Sequence, residues 1–276
     1  MILIADSGSS KTMWCVTGAN KTEYCTTKGI NPFFMDDDAI VNLLSKEFSL
    51  NYKQFEHIYF YGAGCTIEKK QVVHNALSRY FDASDMAVES DLLAAARALC
   101  QNNAGIACIL GTGSNSCYYD GSDIIQSVSP LGYILGDEGS GAVMGKKLIA
   151  DILKNQISDD IKLDFFNSYQ LTQSEILESV YRKSFPNRFL SQFTKFIAKH
   201  IDKSEFDALV SNSFNEFIIR NILQYKQASQ LTINFTGSIA FVFRKQLEKQ
   251  ISNNGLRMGC VSQNPMEGLI KYHTNL

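Results

Sequence analysis

The sequence predicts an α/β protein of two domains, and three observations predict it. Over the first hundred or so residues short apolar strands alternate with a helix, the order of an α/β layer. The order strand, small-residue loop, strand, turn, strand at the N-terminus recurs at residues 106–129, so the chain carries two copies of one unit. From residue 140 to 227 the apolar spacing changes to the helical period of about 3.6. A chain of 276 residues that is 45% hydrophobic is long enough to bury two cores.

In chain order, residues 2–28 read as three short strands, the last two joined at Gly18-Ala19-Asn20-Lys21, which has hairpin turn chemistry. Asp36-Asp37-Asp38, before AIVNLL, caps a helix and complements its dipole. HIYFYGAG (57–64) is a strand ending in glycines and MAVES (86–90) another. DLLAAARALCQN (91–102) is a helix with Asp91 at its start. The second copy, IACILGTGSNSCYYDGSDIIQSVS (106–129), turns at Asp120-Gly121. AVMGKKLIADILKN (142–155), SEILESVYRK (174–183), FLSQFTKFIAKHI (189–201) and FNEFIIRNILQYK (214–226) read as four amphipathic helices, the first capped by Ser140. LTINFTGSIAFVF (231–243) gives a strand, a turn and a helix start, and PMEGLIKYH (265–273) a short helix with Pro265 in its first turn.

Charge and composition exclude several functions. A net charge of -2, from 26 basic and 28 acidic residues, leaves no electrostatic footprint for nucleic acid or an anionic membrane, so small ligands or proteins are the expected partners. No basic-then-apolar leader and no apolar run near the roughly 20 residues of a membrane span is present, and the expectation is a cytoplasmic protein. Seven cysteines without a C-x-x-C pair suit a reducing compartment, and four histidines without ligand spacing give no transition-metal site.

Two loops carry the chemistry. DSGSSKT (6–12) and GTGSN (111–115) each follow a strand and concentrate Gly, Ser and Thr, so backbone N–H groups and hydroxyls can approach an anion closely. Phosphate is the natural ligand. The first loop is not a Walker sequence, because Ser10 stands where glycine is required and a strand, not a helix, follows. Asp6, just ahead of it, can orient hydrated Mg²⁺. Either loop alone reads more readily as a serine-rich hairpin with a capping Asp, and Lys11 points either to phosphate or to solvent; the pairing of the loops within a repeat reverses that preference and favours phosphate.

Asp6-Ser7-Gly8-Ser9-Ser10-Lys11-Thr12 resembles the first phosphate loop of the sugar kinase, actin and heat-shock chaperone superfamily, and Gly111-Thr112-Gly113-Ser114-Asn115 resembles the second. GTGSNS followed by PLGYILGDEGSG (130–141) is similar to the N-acetylglucosamine kinase-like members of the BadF/BadG/BcrA/BcrD-type ATPase family. TGSIA (236–240) resembles the family's adenosine segment and NPMEGLIKY (264–272) its closing helix, so the resemblance spans nearly the whole chain. It implies two ribonuclease H-like (actin-like ATPase) domains with an inter-domain cleft: residues 1–104, joined by a returning C-terminal helix at about 264–276, and residues 105–263 with a helical insertion. It also implies ATP and Mg²⁺ as cofactors, a homodimer, and phosphorylation of an amino sugar, N-acetylglucosamine, at its 6-hydroxyl.

The family's roles carry over residue by residue. Asp91, after MAVES, matches the base that accepts the sugar's proton and also binds sugar; on the residues alone it reads as a helix cap. Asp6 matches the Mg²⁺ carboxylate, acting through water, while Gly8, Ser9, Ser10, Lys11, Thr12, Gly111, Thr112, Gly113, Gly237 and Ser238 match nucleotide-binding positions. Asn31, Thr112, Asn115, Gly132 and Asp137 match sugar contacts, and Glu138 is either structural or a water-mediated metal contact. The first loop departs from the family's glycine-rich form at Ser7, Ser9 and Ser10, which bears on nucleotide affinity. Other readings stay open: an N-acetylmuramate or glucosamine kinase, a sugar sensor without catalysis, or an activator ATPase holding an iron–sulfur cluster between subunits, for which Cys108 and Cys117 are the nearest thiols.

Overall fold

The computed structural model describes residues 1–8, 10–18 and 21–274. Ala19 and Asn20 of the expected hairpin turn, and Ser9 of the first loop, lie outside the described residues. Two five-stranded sheets carry the chain. In the first, β1 (Ile2–Ser7), β2 (Lys11–Gly18) and β3 (Lys21–Lys28) form an antiparallel meander. β4 (Gln54–Gly62) runs parallel to β1, and β5 (Asp82–Ser90) parallel to β4, giving the order β3-β2-β1-β4-β5. In the second sheet β6 (Gly105–Leu110), β7 (Ser114–Tyr119), β8 (Ile124–Val128), β9 (Thr232–Thr236) and β10 (Arg257–Ser262) take the order β10-β9-β6-β7-β8, with β9 parallel to β6 and β10. Each strand of the second sheet therefore occupies the place of the strand five earlier in the first.

The chain divides into two compact units. One comprises Met1–Ala104, Tyr119–Ile124 and the segment from Asn264 onward; the other comprises Gly105–Tyr118 and Ile125–Gln263. In the first unit, β1 shows why its apolar residues run without interruption. Leu3 and Ala5 enter one core with Trp14, Phe48, Phe60 and Phe81, whereas Ile4 enters another with Cys15, Tyr61, Ala94, Met266 and Leu269. A strand that buries both faces has no polar alternation to display. Helices α1 (Asp37–Glu47) and α2 (Lys70–Tyr80) pack with the first core, and α3 (Asp91–Cys100) with the second. Asp36 caps α1 by accepting from Ala39 N.

The second unit gathers a larger core around β6 and β9. Its helices are α4 (Gly132–Leu135), α5 (Gly141–Leu153), α6 (Asp159–Tyr169), α7 (Gln173–Tyr181), α8 (Pro186–Ser191), α9 (Thr194–Lys199), α10 (Ser204–Arg220), α11 (Ser238–Val242) and α12 (Arg244–Asn253). The final helix, α13 (Met266–Thr274), belongs to the first unit and packs on α3, where Gln101 Nε2 donates to Gly268 O at 3.0 Å.

Three details differ from the sequence reading. Residues 189–201 form two short helices, because the chain tightens at Phe193, whose N–H reaches Leu190 O. That break buries Phe193 against Phe165 and Tyr169. The helix expected from 214 begins at Ser204 and ends at Arg220, with a single 3₁₀ turn following. Apolar spacing also does not mark α2, α6 or β10. Among the described residues, no helix is long and apolar enough to cross a membrane.

Candidate active site

Two carboxylates dominate the first unit. Asp6 sits near the end of β1, paired in register with Met13 on β2 and Tyr61 on β4. Burial pushes its pKa up to about 7, repulsion from Asp91 adds to this, and Lys11 opposes it. Asp91 is the first residue of α3 and not its cap, because Ser90 Oγ accepts from Leu93 N at 3.2 Å. The capping duty expected of Asp91 is thus discharged by its neighbour. Burial raises the Asp91 pKa to about 6, while the backbone N–H groups of Leu92 and Asp91 itself pull the other way. Such a group is ionised at neutral pH yet basic enough to take a proton.

The first loop is held by bonds to its own hairpin and to the segment after β3. Gly8 N donates to Lys11 O at 3.0 Å and closes the hairpin, and Gly29 N donates to Ser10 O at 3.2 Å. Ser7 and Thr12 are fully buried, with their hydroxyl oxygens 2.8 Å apart. Ile30 N donates to both oxygens, while Ser7 Oγ and Thr12 Oγ1 donate to Ile30 O and Lys28 O. The Thr12 side chain, expected at the nucleotide, therefore has no surface to offer a ligand; it pins the segment that leads to Asn31. Ser10 and Lys11 remain exposed.

Asn31 presents its amide from the turn after that segment. Its Oδ1 accepts from Phe33 N at 2.9 Å, and among the described residues its Nδ2 meets no acceptor. Gly64, at φ +82°, permits this arrangement: a Cβ there would lie 2.5 Å from Asn31 Oδ1. Beyond Gly64 opens a cavity of about 380 Å³ lined by Cys65, Thr66, Ile67, Lys70, Glu89 and Ser90. The Asp91 and Glu89 carboxylates both hold the Cys65 thiol protonated, and with burial push its pKa up to about 12.

In the second unit the loop Gly111–Ser114 is tied to the start of α5. Gly141 N donates to Gly111 O and Ala142 N to Thr112 O, at 2.8 and 3.1 Å, and Ser140 Oγ caps the helix by accepting from Val143 N. Gly111 N bonds to Gly113 O, and Ser114 N to Asp137 Oδ1 at 3.2 Å. Among the described residues the N–H groups of Thr112 and Gly113 have no protein acceptor, so this loop offers an anion two free donors. Asp137 is buried, with φ +54°, and burial raises its pKa against the pull of Ser114 N. Asn115 Oδ1 accepts from Ser116 N, and Gly132, at φ +73°, is exposed at the start of α4. Glu138 is ion-paired to Arg220 Nε at 2.7 Å and accepts from Asn221 Nδ2.

Gly237 has a cause within its own unit. At φ +116° it lies so close to β6 that a Cβ would come within 2.3 Å of Leu110 O. Glycine here is required by strand packing before any nucleotide is considered. Ser238 follows it, exposed, at the start of α11. Cys108 and Cys117 are fully buried, which leaves no surface thiol at the place where a cluster shared between subunits was considered.

The residues present fit Mg²⁺ and a nucleotide in distinct ways. Asp6 is a desolvated carboxylate opposed by a single cation, and such a group gains from a divalent ion nearby. No group of three or more His, Cys, Asp or Glu side chains that could hold a metal occurs among the described residues.

No protein-family model and no curated protein matches the chain. Solved structures do. A candidate N-acetylglucosamine kinase of Porphyromonas gingivalis is 48% identical, with a TM-score of 0.95 and coverage of 100% of this chain and 99% of its own. A second candidate N-acetylglucosamine kinase, from Chromobacterium violaceum, is 15% identical at a TM-score of 0.74, covering 98% of each chain. An ethanolamine utilization protein of Carboxydothermus hydrogenoformans is 14% identical at a TM-score of 0.51, covering 96% of this chain and 86% of that one. The last two likenesses concern the fold alone.

Proposed function

Because the chain belongs to the BadF/BadG-type N-acetylglucosamine kinase family, with its two ribonuclease H-like α/β domains, we propose that it transfers the γ-phosphoryl group of ATP to the 6-hydroxyl of N-acetylglucosamine. The observation that carries this reading is the pair Asp6 and Asp91, two mutually repelling carboxylates in one unit with pKa values raised to about 7 and about 6. Phosphoryl transfer asks little covalent chemistry of a protein; it needs positioning, charge neutralisation and a group to orient and deprotonate the nucleophile. Asp91 accepts the proton from the attacking hydroxyl. Asp6 orients the Mg²⁺ that, when bound, neutralises the phosphates.

The remaining residues bind and orient. Thr112 and Gly113 offer their free N–H groups to phosphate in the second unit; in the first unit Gly8, Ser10 and Lys11 are nucleotide-binding positions by resemblance, as is Ser9, which lies outside the described residues. Ser238, following Gly237, faces the nucleoside. In the first unit Asn31 Nδ2 is offered to a sugar hydroxyl; in the second unit the second oxygen of Asp137, Asn115 and the Gly132 backbone are the positions that match sugar contacts. Thr12 acts indirectly, through the segment it pins. We also expect a homodimer, which sedimentation velocity measures directly.

The deciding experiment couples ADP release to a panel of sugars. N-acetylglucosamine is expected to give the highest kcat/KM, with glucose lower by tenfold or more, because unpaired buried polar groups reject a ligand lacking their partner, here by about 1.4 kcal/mol at least. Equal values for the two would defeat the amino-sugar assignment. Absence of sugar-dependent turnover would defeat the kinase reading.

A further inference from the structure

We propose that Glu89 is a specificity residue of the sugar site: by holding the Lys70 ammonium it reserves the cavity beside Asp91 for uncharged sugar substituents and turns away hexosamines that carry a carboxylate. This rests on the hexosamine kinase reading above and names which hexosamines the site admits. The cavity lies beside the proposed sugar residues. Gly64, packed against Asn31, is followed by Cys65 on the wall, Ser90 of the lining precedes Asp91, and the Asp91 charge is felt at the Cys65 thiol. Its volume of about 380 Å³ lies within the range of small-molecule pockets, about 300–1,000 Å³.

The charges on the wall decide what enters. Lys70 Nζ lies 3.3 Å from Glu89 Oε1, and the two side chains are 40% and 34% exposed, so both are reachable by a ligand. Glu68 also lines the cavity, and the Thr66 hydroxyl beside it holds its pKa below the usual carboxylate value. With Lys70 already matched to Glu89, the charge left among the lining residues is that of Glu68, negative, and the Asp91 charge felt by Cys65 on the wall has the same sign. Among the lining residues an entering carboxylate finds no cation that is not already paired, and it meets the like charge of Glu68. A neutral acetamido group finds dipoles and the apolar side chain of Ile67. This is selection by a repulsive element, which rejects the wrong ligand without tightening the right one.

The test compares kcat/KM for N-acetylglucosamine with that for its 3-O-lactyl ether, N-acetylmuramic acid. Native protein should prefer the neutral sugar by about tenfold or more. Glu89→Gln uncovers the Lys70 ammonium and should narrow that ratio by about tenfold, a gain toward the acidic sugar that a merely loosened fold does not produce. Adding Lys70→Met should restore the preference. Equal use of both sugars by native protein, an unchanged ratio in Glu89→Gln, or failure of Lys70→Met to restore it overturns the proposal, while turnover of N-acetylglucosamine still upholds the kinase reading. Native protein without sugar-dependent turnover overturns both.

Discussion

The raised pKa of Asp91 suits the base role proposed for it and carries a stability penalty, two measurable effects of opposite sign. Its pKa in the folded chain, about 6, lies above the ordinary aspartate value of 3.8, so the folded state holds the proton more tightly. The associated stabilisation is complete below pH 3.8 and is lost as pH rises through 6, leaving a buried charge as a net cost at pH 7 and above. Asp91→Asn should therefore lower kcat by roughly 10²-fold or more, while raising the stability of the ligand-free protein at pH 8 by an amount on the order of 1 kcal/mol. Turnover assays and thermal melts at pH 8 and pH 4 check this; the stability gain should shrink at the lower pH. Asp6→Asn should weaken productive Mg²⁺–ATP binding, with partial rescue by excess Mg²⁺ or Mn²⁺, read by calorimetry and turnover. Residue types made both aspartates legible as candidates. The burial of Thr12 was not legible, since a hydroxyl that binds phosphate and one that bonds to Ile30 N have the same letter in the sequence.

At the scale of elements, what the sequence displayed depended on how each element buries its side chains. β1 and β6 announced themselves as apolar runs because they lie inside their sheets. β10 did not, because it is an edge strand with a register shift between Met258 and Val261 and no fully buried residue to set an alternation. The loop after β9 was read as a nucleotide approach, but the Leu110 carbonyl explains its glycine first. Gly237→Ala should thus destabilise the protein by about 2–4 kcal/mol, seen as a lower urea midpoint in the absence of nucleotide. α13 has its own acid sensitivity. His273 stacks on Tyr59 at 3.7 Å and bonds to Tyr61 Oη at 2.8 Å, and burial, Arg97 and His57 lower its pKa from 6.5 to about 4. A lowered folded-state value gives stability that is present above pH 6.5 and is lost as pH falls toward 4. His273→Phe should flatten the melting temperature across that window at a neutral-pH cost of about 1 kcal/mol from the lost hydrogen bond.

For the molecule as a whole, the repeat of sheet order was readable early because each copy kept its loop and turn residues in sequence. The recruitment of Tyr119–Ile124 into the first unit was not, since β7 crosses from one unit to the other without any change in residue character. The first unit is consequently discontinuous in the chain. A fragment ending at Ala104 would lack Met266 and Leu269 and bare the face formed by Ile4, Cys15, Tyr61 and Ala94. Such a fragment should aggregate or bind a hydrophobic dye, and a peptide of residues 264–276 supplied in trans should reduce the dye signal.

The thiols described above have one more use. Six of the seven cysteines are buried and Cys260, on β10, is exposed. The unaltered protein therefore carries a single reactive handle: maleimide chemistry under native conditions should attach one fluorophore per chain, at a known address in the second unit, and let ligand arrival be followed optically without engineering a label site.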